Sequence, residues 1–223
     1  MTEQDLSYLR FLLARGHVIS GPVLELGAGY GGTTSASIIR DAGLHYEATD
    51  LTPSPGVTYV ANFENGDGVE TIRSAQRYGT VLVLNVLEHT FDPISVADNA
   101  VSLLREGGTL VAITPVVWPI HHYPIDCHRL LPDWYRRYAS TRGLELDADL
   151  FHYVQYGPVG SFLEGDGHER LPLPAEGRKF HRMWSRGIQK IFNTYGRGMT
   201  NESHIAIGCV LRKAGNSGTD TRS

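Results

Sequence analysis

Three histidines and an aspartate lie within eight residues of one another, in a segment that ends at Pro132. They are His121, His122, Asp126 and His128. Imidazole changes its protonation near neutral pH, so a histidine here could remove a proton from a hydroxyl group while Asp126 orients its ring. His122 is the first candidate for this base and His121 is the second. The same side chains could instead bind a metal ion or tie the loop together.

Other residues of the same segment are candidates for contacts with a substrate. They are Trp118, Tyr123 and Arg129. Arg129 follows Asp126 by three residues, a spacing that also suits a salt-bridged turn. Magnesium prefers carboxylates to imidazole, and the segment has one carboxylate, that of Asp126. No metal site is therefore predicted.

A glycine-rich turn at residues 27–32 is a second feature that could bind a ligand. It follows the apolar segment Val23–Leu26. Glycine lets the backbone approach a ligand closely, and a helix beginning at Thr33 would point free N–H groups at the turn. Asp50, 23 residues after Gly27, could accept hydrogen bonds from ribose hydroxyls. The pattern favours a nucleotide-like ligand, but it does not separate NAD from other adenosine ligands.

The elements that must position these residues alternate between strands and helices. Strands are predicted at 23–26, 46–49, 57–61, 80–84, 109–114, 144–153 and 204–211, and helices at 5–15, 33–41, 69–77, 92–105 and 132–142. This order predicts an α/β fold with a Rossmann-like, mostly parallel sheet and helices on both faces. In such a sheet the reacting centre lies beyond the carboxyl ends of the strands, where the glycine turn and the histidine segment would meet.

Composition indicates an ordinary globular protein and argues against several other classes. Of the 223 residues, 41% are hydrophobic and 20% are charged. A net charge of −4 is not that of a general nucleic-acid binder. No apolar run reaches the length of a membrane span, no secretory signal is evident, and Cys127 and Cys209 lack the spacing of a zinc site. A cytoplasmic protein without nucleic-acid or membrane partners is expected.

One domain, residues 1–213, is predicted to carry an insert at 157–201 that could serve as a lid or as the contact of a homodimer. From His168 to Met199 the insert has seven cations against two acids. It could therefore face an acidic substrate, although a solvated helix face is the more common explanation of such a charge run. Residues 214–223 are small and polar and are predicted to be disordered.

Three motifs narrow the choice of ligand. Glu25 precedes the glycines to give E-x-G-x-G-x-G, residues 85–93 read N-V-L-E-H-T-F-D-P, and residues 103–111 read L-L-R-E-G-G-T-L-V. In this order and spacing they resemble the class I S-adenosylmethionine-dependent methyltransferases, in particular the type 11 small-molecule branch, over about residues 21–132. The resemblance implies S-adenosylmethionine as cofactor and a seven-stranded sheet whose last strand, 204–211, is antiparallel. The Tyr-x-x-x-Lys pair of short-chain dehydrogenases is absent.

The resemblance also implies which residues contact the cofactor. Those around its methionine part would be Glu25, Gly27, Ala28, Gly29, Asn85 and Val86. Those around its ribose and adenine would be Asp50, which accepts both ribose hydroxyls, Leu51, Asn62 and Phe63. Asn62 stands where the family often has an acid. Glu88 and His89 are expected to cap the next helix and to orient a loop.

Methyl transfer to a small molecule is therefore the predicted function, at oxygen, in natural-product or sugar biosynthesis, with a histidine as general base. The cofactor supplies the reactive carbon and the leaving group, so the protein mainly aligns the nucleophile and takes up its proton. Two alternatives stay open: a cofactor-binding partner protein without catalysis, and an NAD-dependent oxidoreductase.

Overall fold

The structure is a computed structural model that describes residues 2–29, 33–122, 125–154, 157–160 and 205–215. The chain divides into two units, Met1–Val159 with His204–Ser223, and Gly160–Ser203. All the elements described below belong to the first unit. Most of the predicted insert, 157–201, and of the predicted tail, 214–223, lies outside the described residues.

Strands and helices alternate along the first part of the chain. The strands are β1 (Val23–Leu26), β2 (Tyr46–Asp50), β3 (Tyr59–Val60), β4 (Tyr78–Leu84), β5 (Leu104–Val117), β6 (Leu144–Leu146), β7 (His152–Tyr153), β8 (Gly157–Pro158) and β9 (Ile205–Lys213). The helices are α1 (Glu3–Leu13), α2 (Thr33–Asp41), α3 (Val69–Ala75), α4 (Pro93–Ser102) and α5 (Pro132–Arg142), with short 3-10 turns at Leu87–His89 and Ala148–Leu150. Among the described residues, no helix combines the length and the apolarity that crossing a membrane requires.

The strands form one mixed sheet in the order β3-β2-β1-β4-β5-β9-β7-β8, and β6 also pairs with β9. The first five strands are parallel to one another, whereas β9 runs antiparallel to β5, with Ala112 opposite Cys209. This arrangement confirms the predicted α/β sheet and its antiparallel last strand. β1 lies between β2 and β4, which places the glycine turn at the centre of one sheet edge.

The number of strands differs from the expected seven, because the described residues form nine. The segment 144–153, predicted as one strand, is divided into β6, a 3-10 turn and β7. Its break lies at Asp147, whose carboxylate accepts the amides of Asp149 and Leu150 at 3.1 and 3.2 Å. An aspartate that bonds its own following amides competes with a strand ladder. The short strand β8 then pairs with β7.

Both faces of the sheet are covered by helices, as predicted. Val81 and Val83 of β4 pack into the core that contains α3, α4 and α5. Leu82 and Leu84 of the same strand point to the opposite face, where α1 and α2 pack. Successive residues of a strand alternate between faces, so a strand buried on both sides is apolar over most of its length. The central strands therefore form a rigid support for the loops at their carboxyl ends.

Local capping fixes two helix starts that the apolar pattern leaves uncertain. α1 begins two residues before the predicted start, because Thr2 and Asp5 form a capping box with bonds of 3.3 and 2.7 Å. α4 begins at Pro93, where Asp92 accepts the amides of Ile94 and Ser95, each at 3.1 Å.

Candidate active site

A cavity of about 990 Å³ lies at the carboxyl ends of β1, β2, β4 and β5. Its lining includes every residue that the sequence places at the cofactor: Glu25, Gly27, Ala28, Gly29, Asp50, Leu51, Asn62, Phe63, Asn85 and Val86. Trp118, His121 and His122 line the same cavity. The fold therefore brings the glycine turn and the beginning of the histidine segment to one space, although they are about ninety residues apart in the sequence.

The glycine turn after β1 needs its glycines for two reasons. Gly27 and Gly29 have φ values of 63° and 54°, a region that other residues adopt only with strain. A Cβ atom at Gly27 would also lie 2.9 Å from Cγ2 of Val86. The turn is fixed to β2 by the amides of Ala28 and Gly29, which donate to the Thr49 carbonyl at 3.0 Å and to Asp50 Oδ2 at 2.7 Å.

Glu25 is a buried carboxylate beneath this turn. Its Oε2 accepts hydrogen bonds from the hydroxyls of Ser35 and Tyr46 at 2.6 and 2.7 Å. Burial raises the pKa of Glu25, and the two hydroxyl donors oppose that shift. Glu25 thus connects β1 with α2 and β2, in addition to lining the cavity.

Two of the residues expected near the adenine have local partners. Asn62 Oδ1 accepts the amides of Glu64 and Asn65 at 2.9 and 3.3 Å, which closes a tight turn. Phe63 is buried, and its carbonyl accepts a bond of 2.8 Å from Asn99. The amide oxygen that the sequence offers to the adenine is therefore already used twice within the chain.

Asn85 follows β4 in a left-handed conformation, with φ at 55°. Its Nδ2 donates to Asp5 Oδ2 of α1 at 3.1 Å, and its buried Oδ1 has no hydrogen-bond partner among the described residues. Thr2 and Leu6 of the same helix line the cavity. The contribution of α1 was not foreseen. The Thr2–Asp5 spacing indicates a helix cap, but no sequence signal joins that cap to Asn85.

The histidine segment is organised around Asp126, whose side chain is 2% exposed. Asp126 Oδ2 accepts the backbone amide of His121 at 2.9 Å and lies 3.3 Å from Nδ1 of the same residue. Arg129 donates to both carboxylate oxygens, with 2.8 Å between Nη2 and Oδ2. The Arg129 guanidinium holds the pKa of Asp126 well below its usual range.

The candidate residues of this segment are separated by the fold. His121, His122 and Trp118 line the cavity, whereas Asp126, His128 and Arg129 are not among its lining residues. His128 Nε2 lies 3.2 Å from the Phe91 carbonyl. Arg129 donates to the carbonyl of His128 at 2.8 Å in addition to its bonds with Asp126. Tyr123 lies outside the described residues.

Comparison with known families decides the class to which this site belongs. A family model described as a methyltransferase domain matches residues 6–154. The chain belongs to this family. It is a class I S-adenosylmethionine-dependent methyltransferase, which confirms the expected cofactor and enzyme class and goes against the NAD-dependent alternative.

Solved structures confirm the fold of this methyltransferase. An S-adenosylmethionine-dependent methyltransferase from Archaeoglobus fulgidus is 13% identical over 94% of each chain, with a TM-score of 0.54. The 1,6-didemethyltoxoflavin-N1-methyltransferase of Burkholderia thailandensis, solved with its substrate and S-adenosylhomocysteine, is 12% identical and gives 0.57, covering 95% of this chain and 78% of its own. The magnesium protoporphyrin IX methyltransferase of Synechocystis, with bound S-adenosylhomocysteine, is 11% identical and gives 0.52, covering 95% and 83%. No curated protein matches the chain.

Two residues of the methyltransferase cavity were expected mainly to cap a helix and orient a loop. Glu88 and His89 line the cavity beside His121. The Glu88 side chain is 1% exposed, and neither of its carboxylate oxygens has a hydrogen-bond partner among the described residues. This burial raises the pKa of Glu88 to about 8. Their position in the sequence could have indicated a role in the site, since both lie in the loop that follows β4, at the sheet edge where ligands bind in this kind of fold.

His89 joins the end of β4 to the histidine segment. Its Nδ1 lies 2.5 Å from the Ile125 carbonyl, and its Nε2 lies 3.7 Å from Glu88 Oε1. The His89 ring meets the His121 ring edge-on, with 4.8 Å between centroids. The Glu88 carbonyl accepts the amides of Cys127 and His128 at 2.7 and 3.2 Å. These contacts fix the two loops against each other at one end of the cavity.

Proposed function

We propose that this methyltransferase transfers the methyl group of S-adenosylmethionine to a hydroxyl group of a small molecule. The observation that carries the proposal is the composition of the cavity. One end has the glycine turn and Asp50, and the other has His121 and His122. A volume of about 990 Å³ lies at the upper end of the range for small-molecule sites, which suits a cofactor together with a small acceptor.

The cofactor residues keep the hydrogen-bonding capacity that this ligand needs. Asp50 Oδ2 accepts the amide of Gly29 at 2.7 Å, and Oδ1 accepts the amides of Leu51 at 2.7 Å and Thr52 at 3.4 Å. Oδ2 therefore keeps a second lone pair, and the bond from Thr52 to Oδ1 is long and weak, so both oxygens can also accept a ribose hydroxyl. Asn85 Oδ1, buried and without a described partner, can accept a hydrogen from the ammonium group of the cofactor. The methionine part would then lie between the glycine turn and Asn85.

The transfer itself needs alignment and one proton acceptor. The bond between sulfur and the methyl carbon breaks as the bond from the acceptor oxygen forms, which leaves S-adenosylhomocysteine. We assign the proton of the hydroxyl to His122. Its exposed ring lines the cavity, and within the described part of the chain no group makes a hydrogen bond to it. The neighbouring His121 is instead held at Nδ1 by Asp126.

A small acceptor is consistent with the solved relatives. The Burkholderia enzyme is named for methylation of 1,6-didemethyltoxoflavin and the Synechocystis enzyme for magnesium protoporphyrin IX. We also propose that the acceptor is acidic, because cations predominate between His168 and Met199. A cytoplasmic location is part of the same proposal. The Burkholderia enzyme is named for methylation at a nitrogen, N1, so it does not support oxygen as the acceptor atom. The proposal of a hydroxyl acceptor depends instead on the histidines of the cavity, because a hydroxyl needs a base more than an amine does.

Matched pairs of acceptors test the choice of oxygen. Each pair presents a hydroxyl or an amine on the same aromatic ring or sugar, and S-adenosylhomocysteine release and product mass are measured. Methylation of the hydroxyl member supports the proposal, and methylation of amines alone overturns it.

Two variants test the base. His122→Gln should lower kcat about 10²- to 10⁴-fold without changing affinity for S-adenosylhomocysteine. His17→Gln, at an exposed histidine outside the cavity lining, should leave both unchanged. A full rate in His122→Gln would exclude this residue as the base.

A further inference from the structure

We propose that Glu88, His89 and His121 form a binding site for one divalent transition-metal ion in the wall of this cavity. One ligand atom from each residue lies within 4.8 Å of the other two. The existence of the site is independent of the proposed function, and only its role in the reaction rests on methyl transfer to a hydroxyl.

The first argument is the isolation of the Glu88 carboxylate. The side chain is 1% exposed, and neither oxygen has a hydrogen-bond partner among the described residues. A buried carboxylate without partners is costly, and buried charges in proteins are normally paired or bound to a metal. Glu88 also lines the cavity, so an ion entering there would meet this side chain. The environment of Glu88 is therefore that of a metal ligand.

The second argument is the state of the two imidazole rings. His89 Nδ1 faces the Ile125 carbonyl at 2.5 Å, and a carbonyl can only accept, so this nitrogen carries the proton. His121 Nδ1 faces Asp126 Oδ2 at 3.3 Å and the Pro119 carbonyl at 3.2 Å, which assigns its proton in the same way. In the neutral form of each ring the lone pair is then on Nε2. A neutral histidine whose other nitrogen donates to a carbonyl or carboxylate is the form that binds metals.

The third argument is that the surrounding contacts fix the ligands in advance. Asp126 orients His121 and is itself held by Arg129. The Glu88 carbonyl accepts two amides of the histidine segment, at Cys127 and His128. These bonds join the loop after β4, which supplies two ligands, to the loop after β5, which supplies the third. A second layer of this kind typically raises metal affinity 10- to 100-fold.

The ligand set indicates which ions would bind. Two imidazoles and one carboxylate suit Zn²⁺ or Fe²⁺ and leave coordination positions open, whereas magnesium prefers oxygen ligands throughout. Ligands at a tetrahedral zinc ion stand roughly 3.3 Å apart. The 3.7 Å between His89 Nε2 and Glu88 Oε1 is close to that value. The site differs from the metal alternative weighed from the sequence, since the histidine segment provides one ligand rather than all of them.

A role in methyl transfer follows from the open positions. An acceptor hydroxyl bound there would have its pKa lowered by the ion, because a bound cation stabilises the oxyanion. Its proton would pass to His122, its oxygen would bond to the methyl carbon, and the sulfur would leave with the electron pair of the broken bond. The ion would thus place the oxygen and activate it, while the base remains a separate residue.

Metal binding by the full chain tests the site without any methyl acceptor. The chain is freed of metal with a chelator and titrated with Zn²⁺ by calorimetry, and with Co²⁺ to record the visible absorption of a protein-bound ion. One ion per chain is expected for the wild type and for His17→Gln. Glu88→Gln and His121→Asn should each bind at least about 100-fold more weakly, because each removes one of three ligands. Asp126→Asn, which keeps all three ligands but weakens the contact that orients His121, should lose about 10-fold.

S-adenosylhomocysteine affinity serves as the check on folding. A variant that binds S-adenosylhomocysteine normally but no longer binds zinc supports the site. If Glu88→Gln or His121→Asn loses affinity for S-adenosylhomocysteine, His89→Gln is tested in its place. The site is refuted if the wild type does not bind zinc, or if Glu88→Gln and His121→Asn bind zinc as tightly as the wild type does. Retention of zinc binding in an enzyme that methylates amines alone would refute the proposed function and leave the metal site standing.

Discussion

Asp50 Oδ2 accepts the backbone amide of Gly29 across 2.7 Å, which ties the end of β2 to the turn that follows β1. The other oxygen accepts the amide of Leu51, also at 2.7 Å. The carboxylate therefore shapes the turn and, in the proposed complex, also binds the ribose. A substitution at this position should affect both the stability of the fold and the affinity for the cofactor, by amounts that can be measured separately.

Asp50→Ala should abolish both effects of the carboxylate. Hydrogen bonds to a charged group contribute about 1.5–3 kcal/mol each, so the dissociation constant for S-adenosylhomocysteine should rise at least about 10-fold. Calorimetry measures the affinity for S-adenosylhomocysteine. Urea unfolding of the free protein measures the free energy of unfolding that is lost when the contact with the turn is removed. Asp133→Ala removes an exposed carboxylate of α5 and is the control. An Asp50→Ala protein that binds S-adenosylhomocysteine normally would refute the assignment of the ribose site.

Gly27→Ala tests the close approach of the turn to Val86. The added Cβ would lie 2.9 Å from Val86 Cγ2, at a residue whose φ is +63°. Gly43→Ala has a similar φ of +77° with open space around it, so it isolates the backbone strain of about 1–2 kcal/mol. Gly27→Ala should lose more stability than this control, and Gly27→Ala with Val86→Ala should recover part of the difference. Equal losses in the two single variants would show that the contact is unimportant.

The central part of the fold could be predicted from local sequence. β1 and β4 are short apolar runs between turn signals, and α4 starts at an Asp-Pro pair, so pattern and capping agree with the fold there. The division of 144–153 was missed because it depends on one side chain, Asp147, which bonds its own backbone in preference to a strand partner.

The site was predicted unevenly for a similar reason. The residues expected to contact the cofactor follow strands directly, so the order of elements suffices to bring them to one cavity. Glu88 and His89 were assigned to the support of a loop, because no sequence pattern shows that the Glu88 carboxylate lacks hydrogen-bond partners or that the His89 ring meets His121. The bond from Asn85 to Asp5 likewise joins residues 80 apart and depends on how α1 packs.

Glu25→Gln should change how stability depends on pH. Burial raises the pKa of Glu25 above its ordinary value of 4.5, so the folded protein binds this proton more tightly than the unfolded chain. Its contribution to the free energy of unfolding is fully present below pH 4.5 and is lost as the pH rises through the raised pKa. Glutamine does not titrate, and its amide oxygen can still accept the hydroxyls of Ser35 and Tyr46.

The stability of Glu25→Gln relative to the wild type should therefore increase as the pH rises above 4.5 and through the raised pKa of Glu25. Urea unfolding of the free protein across that range measures the difference. Glu70→Gln, at an exposed glutamate of α3, should run parallel to the wild type. A constant offset between Glu25→Gln and the wild type would mean that this carboxyl titrates alike in the folded and unfolded states.

The ion pair between Asp126 and Arg129 should stabilise the histidine segment more than a surface pair could. The Asp126 side chain is 2% exposed and the Arg129 side chain is 26% exposed, and the two form a bidentate ion pair. Removing one partner of a largely buried pair leaves the other charge uncompensated, so Asp126→Asn or Arg129→Met should each cost about 2–3 kcal/mol. The melting temperature should fall by roughly 4–12 °C for a chain of this size.

A double-mutant cycle separates the pair from its surroundings. The variant with both substitutions should lose about 1–3 kcal/mol less than the sum of the single losses, because the second change removes a charge already left unpaired. The pair of Asp98 and Arg142 is a matched control, since its side chains are 40% and 39% exposed and also form two bonds, at 2.8 and 2.7 Å. Its cycle with Asp98→Asn and Arg142→Met should give less than about 1 kcal/mol. If the two cycles gave the same coupling, burial would not be what strengthens the pair beside His121, and the loop would have to be fixed by its backbone contacts with Glu88 instead.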